Sequence, residues 1–289
     1  MGRWLTEPVP KGRVAAFRTV VYLFVAGDLV LFTPWVRTHA DVPGELYQPL
    51  LVGRLLHLPT PTPALVHGIF WVLLGLALAA ASGRAPRALG WPVFLLYGEW
   101  MIIAMSYGKV DHDRFGLLVA LAALPTAGRA RHGDRTPTEA GGWALRVTQL
   151  AVVATYFLAA WAKLRFGGAG WVTSSVLARA IIRRGTELAD AVASVPGLLV
   201  AAQLGIIAFE LASPLLFVLR GRWRYAAVGF FYSFHLVTIA TITISFAPHL
   251  AAMTSFLPLE RVIRPPGRVS ARGRRPSAAP RPCPGPEPG

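Results

Sequence analysis

Cysteine is almost absent from this 289-residue chain; the only one, Cys283, sits in a Pro-rich tail. With nothing to pair with, it excludes a disulfide framework, a thiolate zinc site and thiol catalysis in the core. Charge is scarce as well. Charged residues make up 15% of the chain, where a soluble domain carries roughly a quarter. Acidic residues are the rarer kind, 14 against 29 Lys and Arg. The resulting net charge of +15 raises nucleic-acid binding, but no basic stripe interleaved with aromatics and no zinc or RNA motif accompanies it. The arginines lie instead at the ends of apolar blocks and in the tail, where membrane topology puts them. No internal repeat is evident, and no Gly/Pro-interrupted helices in corresponding halves mark a transporter.

What the chain has is apolar length. Hydrophobic residues are 54% of it and mean hydropathy is +0.49. They fall in blocks near bilayer thickness, at 17–35, 64–82, 89–107, 115–127, 147–164, 196–219 and 225–259. Asp28 interrupts the first block and no small-x-small cleavage site follows, so a retained helix is expected there in place of a signal peptide. Residues 36–63 are polar and Pro-rich. Glycines at 167–170 break the chain before 171–195, which reads as one amphipathic interfacial helix carrying Arg179, Arg183 and Arg184. The last block is long for one helix and short for two, and Pro248 is expected to split it into a span and a returning half-helix. The expected fold is an all-α polytopic transmembrane bundle of about seven to eight spans with an interfacial helix. It covers residues 1–263, and a disordered Pro/Arg-rich tail covers 264–289. The basic clusters at the N-terminus, Arg84/Arg87, 129–135 and 220–224 share one side. The positive-inside rule makes that side cytoplasmic, placing a multi-pass protein in the cell membrane with its N-terminus inside.

Ionisable groups at membrane depth are costly and normally face a bundle interior or a cavity. This chain carries Asp28, Glu99, Lys163, Glu210 and His235 there. Each carboxylate is a packing contact between helices or a functional group, and Arg18, at the start of the first block, either snorkels or serves a site. Helical spacing puts Thr238, Thr241 and Ser245 on one arc with His235, a stripe that either lines a polar cavity or relays protons, or equally satisfies neighbouring backbone groups. Lys163 closes the helix TYFLAAWAKL, a position where a lysine ordinarily snorkels to the interface; on the outer side, where basic residues are disfavoured, a desolvated lysine can instead act as a base. In YGKVDHDRFG, three successive residues rarely converge on one ion, so Asp111, His112 and Asp113 suggest a carboxylate-oriented histidine at a cavity mouth or a solvated loop. No metal site is expected.

Several segments, in order, resemble the membrane domain of vitamin K-dependent γ-glutamyl carboxylase and its bacterial relatives, the HTTM (horizontally transferred transmembrane) family. AAFRTVVYLFVAGD is similar to the family's first helix, with Arg18 in place, and KVDHDRFGLLVALAAL to its histidine-containing segment, matching His112. TYFLAAWAKLRFGGAGWVTSSVL resembles the most diagnostic stretch, placing Lys163 on the lysine implicated as base and Trp171 on the family tryptophan. IAFELASPLLF is similar to the acidic helix, with Glu210 for a usual Asp. FYSFHLVTIATITISFAPHLAAM resembles the last segment, matching His235. Thr173–Ser175 replace a Glu-Gly, Asp111 replaces an Asn, and the gap from Lys163 to Trp171 is longer. The resemblance implies a cavity toward the outer leaflet for a lipophilic ligand, a reduced, vitamin K-like quinone. Lys163, His112 and His235 would be catalytic there, and Arg18, Glu99, Glu210 and Trp171 would serve cofactor binding. Carboxylase-like or oxygenase-like chemistry would follow. The sequence shows no β-rich region like the one that helps the carboxylase bind its protein substrate, so the resemblance concerns the quinone-facing part. The alternative it implies is a non-catalytic membrane scaffold, a maturation or export partner of a secreted peptide or protein. Membrane lipid is a partner under either reading, and nucleic acid under neither.

Overall fold

A computed structural model describes residues 2–262; Cys283 and the tail expected to be disordered lie outside the described residues. The chain is helical almost throughout. Its only strands among the described residues are β1 (Val9–Pro10) and β2 (Pro137–Thr138), paired antiparallel. The main helices of the first half are α1 (Lys11–Gly27), continued by a π-helical turn over Asp28–Phe32, α2 (Pro63–Ala81), α3 (Pro86–Met105) and α4 (Phe115–Ala123). The second half has α5 (Glu139–Gly167), α6 (Val176–Arg184), α7 (Glu187–Ala193), α8 (Leu198–Ala212), α9 (Gly221–Ile242) and α10 (Ala247–Met253).

Local chemistry sets the main boundaries. Pro63 occupies the first turn of α2, and the Thr62 hydroxyl accepts from Leu65 N–H. Thr138 caps α5 in the same way, accepting from Gly141 N–H. Gly142 lets the N-terminal segment cross α5, because a Cβ there would collide with the Glu7 carbonyl.

Five helices are long and apolar enough to cross a membrane, six if the bent pair α7–α8 counts as one span. They are α1 with its π-helical extension, α2, α3, α5 and α9. Large apolar side chains such as Trp71, Leu95, Leu158, Phe230 and Leu236 stand exposed along them, a surface suited to lipid and costly in water. The block at 115–127 yields only nine α-helical residues before Pro125 tightens the chain into a 3₁₀ turn. At 1.5 Å per residue, such a helix is about 13 Å long, well short of a bilayer.

Two other expectations change. Residues 171–195 form separate short helices, not one. Gly185 leaves the helix with extended backbone, and Thr186 turns to α9, its N–H donating to Thr241 O and its hydroxyl to Ala240 O. Pro196 and Gly197, the latter in the left-handed region at φ 78°, then turn α7 into α8 through 105°. The last block does break, but at Thr243–Phe246, ahead of Pro248. Thr243 is left-handed at φ 53°, and Pro248 sits harmlessly in the first turn of α10.

The core has two parts. One gathers α1 to α4 and the start of α5 around Phe17, Tyr22, Leu73, Tyr97 and Trp100. The other joins the middle of α5 to α8, α9 and α10 around Tyr156, Phe209, Phe231 and Met253.

Candidate functional site

The second half encloses a cavity of about 540 Å³. Helical periodicity builds its walls. Tyr156, Ala159 and Lys163 lie along one face of α5; Ala202, Ile206 and Glu210 along α8; and His235, Thr238 and Thr241 along α9. Leu177, Ile181, Ala189 and Val192 from α6 and α7 close one side, His249 of α10 reaches in from another, and the turn with His112 and Asp113 forms part of the rim. Most of the lining is aliphatic or aromatic, with the polar groups few and grouped, as in sites for small apolar ligands.

Lys163 and Glu210, 47 residues apart, meet as a bidentate pair: Nζ donates to Oε1 at 2.6 Å and to Oε2 at 2.8 Å. Trp171 does not line the cavity; its ring lies 5.6 Å from Lys163 Nζ and packs against the end of α5 at Gly167. Deeper in, the Tyr156 hydroxyl is 2.6 Å from His235 Nε2. The His249 ring packs edge-on to Tyr156, with centroids 4.5 Å apart, and 5.7 Å from His235. Both His249 ring nitrogens and His235 Nδ1 are buried without a partner among the described residues. Buried polar groups normally find one, so these atoms suit a polar group on a ligand.

His112 stands at the mouth. Crowding by protein, reinforced by the Lys163 charge, lowers its pKa, which keeps the imidazole neutral near pH 7. Lys109 pairs with Oδ1 of the neighbouring Asp111 at 2.6 Å, and among the described residues no hydrogen bond joins Asp111 to His112. Burial pushes the neighbouring Asp113 up to about 6.

Two residues of the expected set lie elsewhere. Arg18 is buried in the first core, donating to the carbonyls of Leu124 and Gly128. Glu99 is half-buried on α3, also away from the cavity lining. The hydroxyl stripe on α9 is satisfied within its own helix: Thr238 donates to Phe234 O and Thr241 to Val237 O. Ser245 falls beyond the end of that helix. Among the described residues no group of three His, Cys, Asp or Glu could hold a metal ion.

Three contributors escaped the sequence reading. His249 follows a proline in a seven-residue helix, too short to show a periodic face. Gln203 ties the segment after α5 to α8, donating to the carbonyls of Trp171 and Val172 while accepting from Leu177 N–H. Arg114 anchors the rim, donating at 2.7 Å to the fully buried Asp28 and at 2.9 Å to the Tyr97 hydroxyl. Asp28 also accepts from Tyr97 and Thr33, and Trp100 Nε1 donates to Thr33. One signal for Arg114 was available, namely an arginine at the start of an apolar block with an unexplained aspartate in another block.

Compared with family models, curated proteins and solved structures, the chain matches none.

Proposed function

We propose that this chain is a multi-pass protein of the cell membrane, of the HTTM type its motifs resemble, whose cavity holds a lipophilic ligand of the hydroquinone class. The observation that carries this reading is the convergence of Lys163, Glu210, His112 and His235, spread over 124 positions, on one mostly apolar cavity. We count α4 with its 3₁₀ continuation as a further membrane-embedded segment, giving seven, and read α6 as lying at the interface. The N-terminus is then cytoplasmic, and the cavity opens toward the outer leaflet.

The donor set suits such a ligand. A cavity of this size takes an aromatic ring and the start of an isoprenoid tail, and the free nitrogens of His235 and His249 are matched to ring oxygens. A bound hydroquinone would supply an acidic hydroxyl and reducing equivalents for oxygen. The protein supplies the proton acceptor. The Lys163–Glu210 pair shares one exchangeable proton, and on accepting a second it carries an ammonium beside a neutral carboxyl. That positive charge faces the anion left by deprotonation, where low dielectric makes it most effective. The apolar walls exclude the water that would quench a strong base. Purified protein given a reduced quinone should then consume oxygen, and Lys163→Ala should abolish the uptake; unchanged uptake would remove Lys163 from the mechanism.

A second reading is favoured by the same ion pair. A bidentate Lys–Glu contact also serves as packing between α5 and α8, as expected of a non-catalytic scaffold for a secreted peptide or protein. Co-purification of a stoichiometric partner without bound quinone would favour it.

A further inference from the structure

Lys163 and Arg146 sit on the same helix, 17 residues apart, which puts Arg146 about 25 Å along the axis from the Lys163–Glu210 pair and, counted from Thr155, about 14 Å from the cavity lining. There a second, separate pocket of about 410 Å³ is lined by Trp4, Glu7, Arg146, Phe217, Arg220 and Arg224. Its charge is unbalanced. Three guanidinium groups face one carboxylate, and Glu7 is taken up by Arg146 through a 2.5 Å contact. Arg146 is further fixed by Gln149 Oε1 at 3.0 Å and by the Trp4 ring, 5.0 Å from its guanidinium carbon, while its Nε is buried without a partner. Arg224 spends only its Nε, on Leu219 O at 2.9 Å. Arg220 is the N-cap of the 22-residue α9 and makes no side-chain cap bond, so the N–H groups of that helix add positive potential at the pocket. Trp4 and Phe217, edge to face at 5.4 Å, give it an aromatic wall.

We propose that this pocket binds a net-anionic phosphate group, either the headgroup of an acidic phospholipid or a free phosphate. Guanidinium forks match phosphate oxygens in pairs, and basic pockets at a membrane face select anionic headgroups. The site is independent of the quinone cavity and of any chemistry there.

The test uses the full chain in detergent with added lipid, read by native mass spectrometry and thermal melting. Phosphatidylglycerol should be retained and raise the melting temperature, whereas zwitterionic phosphatidylcholine should do neither. The double variant Arg220→Gln/Arg224→Gln should weaken phosphatidylglycerol retention about thirtyfold, given the contribution of each basic residue near a lipid surface. Arg220→Gln alone, at an exposed side chain, should weaken it about fivefold with folding intact. Arg222→Gln, between the two in sequence but stacked on Trp223 and not lining the pocket, should leave retention unchanged. Inorganic phosphate at constant ionic strength distinguishes the sources: displacement of the lipid and a matching rise in melting temperature identify free phosphate, and no effect identifies the headgroup. Equal retention of both lipids, or equal losses from Arg222→Gln and Arg220→Gln, would overturn the proposal.

Discussion

Each half of the molecule carries an internal ion pair, and the two pairs are built differently. In the first half, Arg114 and Asp28 meet at 2.7 Å with Asp28 wholly enclosed; Tyr97 and Thr33 donate to the same Oδ2 and Trp100 to Thr33, while Asp28 Oδ1 is buried without a partner among the described residues. In the second, Lys163 and Glu210 meet at 2.6 Å with about a quarter of the lysine side chain exposed, and their open side is the cavity. The surroundings follow suit. In the best apolar stretch of α1, 61% of residues are buried inside the protein, against 17% for α9. A network enclosed by protein on every side fixes a structure, because its members depend on one another. A pair facing an apolar cavity remains able to exchange a proton with whatever enters. The first half therefore acts as the scaffold that holds the 112–114 turn at the rim, and the second half forms the chamber.

That contrast can be broken experimentally. The largest effect belongs to Arg114→Ala, which leaves a buried carboxylate uncompensated. It should cost about 3–5 kcal/mol of stability, seen as a large drop in melting temperature; a drop no larger than that of an exposed arginine variant would mean the network is not structural. Next is Asp113, whose folded pKa of about 6 stands above its ordinary 3.8. A group raised in this way contributes fully below the lower value and loses that contribution as pH climbs through the upper one, so the folded state is penalised by up to about 3 kcal/mol above pH 6. Asp113→Asn should therefore raise the melting temperature at about pH 7.5 and leave it nearly unchanged at about pH 4. A pH-independent effect would contradict the burial of that carboxyl. The smallest effect sharpens the comparison. Replacing Lys163 and Glu210 together by Met and Leu should change stability by no more than about 1 kcal/mol, whereas replacing Asp28 and Arg114 together should remain costly, since Tyr97 and Thr33 lose their acceptor. Equal costs for the two double variants would erase the distinction between scaffold and chamber.

The apolar blocks were legible because bilayer length is a one-dimensional property, and the helices around 17–35, 64–82, 89–107 and 147–164 follow them. The residues of the chamber were legible in part. Lys163, Glu210, His112 and His235 stood out as charges or histidines in or beside apolar blocks, and all four line one cavity. Pairing was not legible. Nothing local joins Asp28 to Arg114 across 86 positions, or Tyr156 to His235 across 79. The stretch 171–195 breaks at Gly185, where the backbone turns extended, and Thr186 donates to Ala240 O of α9, a contact that the amphipathic pattern does not announce. Arg18 and Glu99 show the converse: a charge at depth signals a buried partner or a cavity, and the sequence alone does not say which.

The claim on which the account rests is that the chamber holds a lipophilic redox ligand, and mass spectrometry of the quinones and lipids retained after gentle purification tests it most directly. Wild-type protein should retain a quinone near one per chain. Ala202→Phe, which fills the cavity from α8, should retain none while melting at a similar temperature. No quinone in the wild type, or equal amounts in both proteins, would contradict the account.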